Sequence, residues 1–475
     1  SLHDALPICA AMNNNNTTYI ETRSIEPIPD GERHGSIFSQ FTLWLGANLQ
    51  ITAMVTGALT IVFGGDVFWS LAGLMLGQIA GGIVMALHAA QGPQLGIPQM
   101  ISSRVQFGVY GACLPILLVC LMYLGFIATG AVLSGQAISA VFHTTETSGI
   151  LLFAAATLVI AYVGYRLIHL LGKLASLVGI IAFIYLLWKI SSFPAIGDLL
   201  SIRPFSWSTF LTATGLAASW QITFGPYVAD YSRYLPRSTS PGKVFFAVGS
   251  GSVIGAQIAM TVGVLAAALS QGKLVGHEVD YIVGLGGTGA IATLLYLSIA
   301  FGKLTINTLN AYGSLMCLAT VYSCGKQRVR VSQSVRLLVL AMIITLATAI
   351  AIIGQHSFLS AFKSFLLFLL TFFTPWSAIN LVDYYFFNHQ AIDMEALNDP
   401  NGKYRAWNVT GLGVYLVGVA VQTPFIDSGF YSGPFVKMLG GIDISWLIGL
   451  ALPAGLYYVL RKAQSAAAAG AAISR

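Results

Sequence analysis

Long apolar runs separated by short polar segments dominate this chain. They fall at approximately 38–63, 68–88, 110–140, 149–168, 172–192, 206–231, 244–270, 290–320, 334–354, 357–387, 409–424 and 442–460. A helix needs about 20 predominantly apolar residues to cross the hydrocarbon core. The pattern therefore predicts about twelve transmembrane helices in an all-α, polytopic membrane protein. Several runs exceed the minimum, which predicts tilt or helices that project past the lipid. Residues 1–37 are polar and predict a largely disordered segment, in which Met12 reads as an initiator that leaves 1–11 outside the natural product. The Ala-rich segment 463–475 predicts a flexible tail.

Charge orients these spans. Seventeen of the 23 Lys and Arg residues fall on one side: Arg104, Arg166, Lys173, Arg233, Arg237, Lys243, Lys326, Arg328, Arg330, Arg336, Lys403 and Arg405 in loops, with Arg23, Arg33, Arg461, Lys462 and Arg475 in the termini. Lys189, Arg203, Lys273 and Lys437 lie opposite, and Lys303 and Lys363 lie within spans. Basic residues stay on the cytoplasmic side, so both termini are expected there, in a cell membrane of bacterial inner-membrane type. Only 8% of residues are charged, 56% are hydrophobic and mean hydropathy is +0.77, too apolar for a soluble surface. The pI near 9.0 thus reports topology and not nucleic-acid binding. Five cysteines form no CxxC and read as small packing residues, and the histidines show no metal spacing. Gly284-Leu-Gly286-Gly287-Thr-Gly289 matches GxGxxG, but with no preceding strand it reads as a turn. No Walker A motif or nucleophile–base set appears, so neither an ATP-driven pump nor an enzyme is expected. A receptor would need a sensory domain that no loop is long enough to supply.

Polar side chains inside spans carry the candidate chemistry, because hydrocarbon cannot satisfy an amide or an ammonium. Their ordinary use is interhelical hydrogen bonding, and their other use is a substrate or ion site facing a wet cavity. Asn48 and Gln50 follow Gly46 in the first span, which fits a locally unwound helix whose freed carbonyls face a cation. In the sixth span Gly225-Pro226 interrupts the backbone ladder beside Trp220, Gln221 and Phe224, where a planar ligand could stack. In the eighth, Lys303, Asn307 and Asn310 are spaced i, i+4, i+7 on one helical face. A central Lys costs about 2.5–3.5 kcal/mol on insertion scales, and no Asp or Glu lies near mid-span to pair with it. Asp66, Asp230 and Asp383 all map near span ends.

These residues resemble the nucleobase–cation symporter family that includes cytosine, purine and hydantoin permeases. The resemblance runs from about Glu26 to Lys462. It rests on Trp44 with Gln50 six residues later and on Arg104-Val-Gln-Phe107-Gly108-Val-Tyr-Gly111. Further along come Ala229-Asp230-Tyr231-Ser-Arg233-Tyr234, Thr305-Ile-Asn307-Thr-Leu-Asn310-Ala-Tyr312, Val382-Asp383-Tyr384-Tyr385 and Trp407-Asn408. It implies a LeuT-like fold with inverted repeats at 38–192 and 206–387 and two peripheral helices at 409–460. It also implies import of a nucleobase, cytosine or a purine, by cation-coupled alternating access. Allantoin, hydantoin, thiamine or vitamin B6 are the alternative cargoes, and no feature fixes an oligomeric state.

By position, Gln50 and Asn310 should hydrogen-bond the substrate, with Asn48 and Asn307 as neighbouring candidates. Phe126 and Gly130 fall at third-span substrate positions, and Trp220, Gln221 and Phe224 compete for the stacking role. The carbonyls of Gly46 and Leu49 and the Thr305 hydroxyl match parts of the family's sodium site. Leu304 departs from that site by replacing a hydroxyl, and Lys303 places a positive charge beside it, which favours proton over sodium coupling and calls for no cofactor or metal.

Overall fold

The computed structural model describes residues 27–163, 165–193, 196–324, 332–388, 392–429 and 431–473. The side chains of Arg166, His169 and Lys173, and all of Arg23, Lys326, Arg328, Arg330, His389 and Arg475, lie outside the described residues, as do positions 1–26 of the N-terminal segment. Every apolar run carries helix, and the described residues form no strand beyond one isolated bridge between Asp427 and Ser432.

In chain order the principal helices are α1 (Ile37–Asn48), α2 (Ile51–Val62), α3 (Val67–Ala89), α4 (Gln99–Phe107), α5 (Cys113–Phe142), α6 (Glu146–Val163), α7 (Tyr165–Ser191) and α8 (Trp207–Ile222). They continue with α9 (Gly225–Ser232), α10 (Pro241–Ser270), α11 (Glu278–Gly286), α12 (Ala290–Tyr322), α13 (Gln333–Gly354), α14 (Phe358–Val382), α15 (Val409–Gln422) and α16 (Ser445–Ile473). The stretches Val67–Leu95, Cys113–Phe142, Pro241–Ser270, Ala290–Tyr322 and Gln333–Phe387 are each long and apolar enough to cross a bilayer. The pair α1 and α2 passes as one broken span, bent by 56°. The fold is an all-α, polytopic bundle.

Three expectations need correcting. The Ala-rich stretch from Ala463 continues α16 to Ile473 instead of fraying into a tail, because alanine has the highest helix propensity. Arg104 is not a solvated loop residue. It lies on α4, is 2% exposed, and donates to the carbonyls of Leu397 and Thr320 and to Asn398. The sixth span is interrupted less than the first, since Thr223 and Phe224 keep right-handed helical backbone angles. The GxGxxG stretch is split: Gly284 and Gly286 end α11, and only 287–289 form the turn before α12, with positive φ at Gly287 and Gly289.

Small residues let the helices approach closely, which matters where lipid supplies no hydrophobic drive for association. Gly73, Gly77 and Gly81 repeat at i, i+4, i+8 along α3. A Cβ at any of them would come within 3.0 Å of the backbone carbonyls of Phe210, Thr214 and Ala218 on α8. Gly57 of α2 and Gly263 of α10 meet the carbonyls of Met260 and Met54 in the same way. At these crossings backbone lies directly on backbone. Buried charges sit at span ends with full sets of donors. Asp66 caps α3 and accepts the N–H groups of Ile202 and Arg203 at 2.8 and 3.1 Å. Asp383 accepts from Gln106, Asn388 and Tyr457 and faces Arg461 at 3.4 Å.

Gly77→Ala is expected to force α3 and α8 apart and to destabilise the protein by about 1–3 kcal/mol, as overpacking does. Gly284→Ala, with no atom within 4 Å of the added methyl, should leave stability unchanged or slightly raised. Thermal denaturation of the two purified variants in detergent checks this contrast.

Candidate functional site

The first span breaks because its side chains replace the lost backbone hydrogen bonds. Asn48 ends α1 and returns its Nδ2 to the Trp44 carbonyl at 2.7 Å. Leu49 leaves helical geometry, and Gln50 is fully extended at φ −146°, ψ 159° before α2 begins. Gln50 Nε2 donates to the Ala47 carbonyl at 2.8 Å, so the amide also satisfies a group at the break. Its other end, Oε1, accepts from Lys303 Nζ of α12 at 3.1 Å, and Lys303 donates again to Thr52 Oγ1 at 2.7 Å. Lys303 is 3% exposed, and its ammonium is held between the broken helix and its own helix.

These groups border a small cavity. Gln50, Thr52, Lys303, Ile306 and Asn310 form one wall, and Phe126, Trp220, Thr223, Phe224 and Tyr227 form the other. The aromatic wall is a chain of edge-to-face contacts: Phe126 to Trp220 at 6.2 Å and 89°, Trp220 to Phe224 at 5.9 Å and 86°, and Phe224 to Tyr227 at 5.9 Å and 84°. Trp44 supports Phe224 from behind at 5.2 Å. The side chain of Asn310 makes no hydrogen bond to any described residue, so its whole amide is available to a ligand. Gln50 retains one N–H and one acceptor lone pair beyond its internal bonds.

Four expected substrate contacts lie elsewhere. Asn48 is fully buried, donates to Ser252 Oγ at 3.0 Å and accepts the Trp220 indole N–H at 2.6 Å, so it fixes the ring and does not meet the cavity. Gln221 is fully buried behind Trp220, donating to Gln78 Oε1 at 2.5 Å and accepting from Ser252 at 2.7 Å. Asn307 turns towards α5, where its Nδ2 donates to the Ile127 carbonyl at 2.9 Å. Gly130 is the recess that admits the Asn307 amide, for a Cβ there would collide with it.

Helical phase explains Asn307. At about 100° per residue, Lys303, Ile306 and Asn310 share an arc of about 60°, whereas Asn307 lies about 40° beyond Lys303 on the other side. The ion-coupling candidates are also locally engaged: the Gly46 carbonyl accepts the Leu49 N–H at 3.1 Å and Thr305 Oγ1 donates to the Gly302 carbonyl at 2.8 Å. Among the described residues no group of three His, Cys, Asp or Glu could hold a metal. Thr52, Thr223 and Tyr227 line the cavity without having been singled out from sequence. The i+2 position of Thr52 after Gln50 and the place of Tyr227 just after Gly225-Pro226 were the available signals.

Comparison with known proteins identifies the family. Residues 27–449 match the family model described as permease for cytosine/purines, uracil, thiamine, allantoin. A putative purine-cytosine permease of Bacillus subtilis, YxlA, is 37% identical over 443 residues, covering 93% of this chain and 96% of that protein. The purine-cytosine permease fcyB of Emericella nidulans is 25% identical, covering 93% and 88% respectively. The solved structure of Mhp1 in its inward-facing conformation superposes with a TM-score of 0.74 at 18% identity, covering 95% of this chain and 96% of that one, and shows that the fold is LeuT-like. With the family model matching residues 27–449 and a permease 37% identical over nearly the whole chain, the chain belongs to the family of permeases for cytosine/purines, uracil, thiamine and allantoin, and is a membrane transporter and not an enzyme.

Proposed function

We propose that this transporter imports a planar nucleobase, cytosine or a purine, by alternating access coupled to a proton gradient, across a bacterial inner membrane with both termini inside. The observation that carries this reading is the cavity in which the free amide of Asn310 and the half-committed amide of Gln50 face a wall of aromatic rings. A nucleobase has flat faces for Phe126, Trp220 or Phe224 and donor–acceptor edges that paired amides match. A molecule without that edge would leave buried amides unpaired, which is where such a site gains selectivity. The purine-cytosine relatives support this choice of cargo over the other heterocycles of the family.

Lys303 supports the coupling. Its ammonium joins α12 to the α1–α2 junction through Gln50 and to the start of α2 through Thr52. No Asp or Glu lines the cavity to neutralise it, and a fixed positive charge there repels sodium. Loss of its proton would strip the charge from the hydrogen bonds to Gln50 and Thr52 and weaken both, so the same amide that reads the base reports the state of the ammonium. Coupling of this kind needs only differential affinity between two arrangements of the broken helix.

In cells lacking their own base permeases, uptake of labelled cytosine or hypoxanthine should be saturable. Asn310→Ala should weaken apparent affinity roughly three- to tenfold, the value of one or two neutral hydrogen bonds. Gln50→Ala should cost more, since it also strips a partner from Lys303; undiminished uptake in both variants would remove the site. Uptake should persist in sodium-free medium and rise with an inward proton gradient, and Lys303→Met should abolish that response. Strict sodium dependence together with a neutral Lys303→Met would exclude the coupling.

A further inference from the structure

A second, wider space lies towards the end of the bundle that carries Arg233 and Thr320. Tyr123 of α5, Tyr227 and Tyr231 of α9 and Tyr312 of α12 line it. Tyr227 lines the smaller cavity as well, so its ring is the wall common to the two spaces. It follows immediately on Pro226, at the start of the short helix α9. Its ring meets Tyr123 at 5.6 Å and 40° and Phe224 edge-on at 5.9 Å. Aromatic surface therefore runs without a gap from Trp220 through Phe224 and Tyr227 to Tyr123.

Two observations suit the wide space to a flat ligand. Tyr123 is 9% exposed, yet its hydroxyl makes no hydrogen bond to any described residue, and the same holds for the hydroxyls of Tyr227 and Tyr231. These oxygens open onto the space they line, so their hydrogen-bonding capacity is available to a molecule within it. Moreover, the Tyr123 ring lies directly on the backbone of α12, where a Cβ at Gly313 would stand 2.7 Å from its Cζ. The glycine provides a seat for the ring at the edge of the space. The result is a set of tyrosine rings around a common volume, of which Tyr123, Tyr227 and Tyr231 carry hydroxyls that no described residue engages.

We propose that the wide space is a second, weaker binding site for a planar heterocycle bearing carbonyl or ring-nitrogen acceptors, and that the Tyr227 ring is the door between it and the inner cavity. The inference rests on the proposed transport of such a molecule. Stacking on an aromatic face tolerates any flat base, so this site selects flatness while the inner amides select identity. A base leaving the inner cavity exchanges one stack for another and is never left unsupported beside apolar walls.

The test uses the purified full-length protein with tritiated cytosine and tritiated hypoxanthine as probes. Equilibrium binding should resolve two classes of site. Tyr123→Ala should weaken the weaker class roughly tenfold or more, as loss of a ring–base stack does, and leave the tighter class within about twofold. Gln50→Ala should do the reverse. In preloaded proteoliposomes, Tyr227→Ala should speed exchange several-fold, and Tyr227→Phe, which keeps the ring, should stay closer to the unmodified protein. Should Tyr123→Ala fail to fold by thermal denaturation, Tyr123→Leu carries the same expectation with the apolar filling retained. A single class of site in the unmodified protein, or a weaker class indifferent to Tyr123, would mean a water-filled funnel and overturn the proposal while Gln50-sensitive binding stands. Absence of any probe binding would overturn the transport reading and this inference together.

Discussion

The hydrocarbon core offers no hydrogen-bond partner, so every backbone and side-chain polar group within it must find one in the protein. The junction of α1 and α2 can exist only because Asn48 and Gln50 meet that demand locally, each donating to a carbonyl near the break. Lys303 completes the arrangement from across the bundle with two donated hydrogen bonds. The broken helix, the buried ammonium and the candidate site are therefore one structure. Removing any of its members leaves another with an unmet polar group.

The rest of the bundle holds that junction in place. Behind the cavity, Gln78, Gln221, Ser252 and Asn48 form a dry chain of hydrogen bonds ending at the Trp220 indole. This chain sets the plane of Trp220 and so the orientation any stacked ligand must adopt. Glycine ladders on α3 and α10 bring helix backbones into direct contact with α8 and α2, which leaves little slack in the positions of these amides. Farther away, Asp383 ties α14 to α4 and α16 through Gln106, Tyr457 and Arg461. Polar groups thus serve two ends in one molecule, a dry framework and a wet face, and the two meet at Trp220.

The candidate site was only half legible from the chain. Gln50, Lys303, Asn310, Phe126, Trp220 and Phe224 border the cavity. Asn48, Gln221, Asn307 and Gly130 belong to the framework instead. An amide within an apolar run carries the same signal whether it faces a ligand or a neighbouring helix, because the cost of leaving it unpaired is the same in both cases. Helical spacing narrows the choice but does not end it: Asn307 and Asn310 lie about 60° apart on α12, and the nearness of α5 takes one and leaves the other.

Sequence alone determined the all-helical class, the location of each apolar helix, the break near Gln50, and the family, because each rests on local composition and on residues close together in the chain. Tertiary structure alone decided which polar side chains face the cavity, that Lys303 reaches Gln50 and Thr52, and that Tyr227 stands between two spaces. Those outcomes depend on the phase and separation of helices some 170 to 250 residues apart, as the spacings of 172 from Asn48 to Trp220 and 253 from Gln50 to Lys303 show. Periodicity along one helix sets which residues share a face, and only packing against the others sets what that face meets.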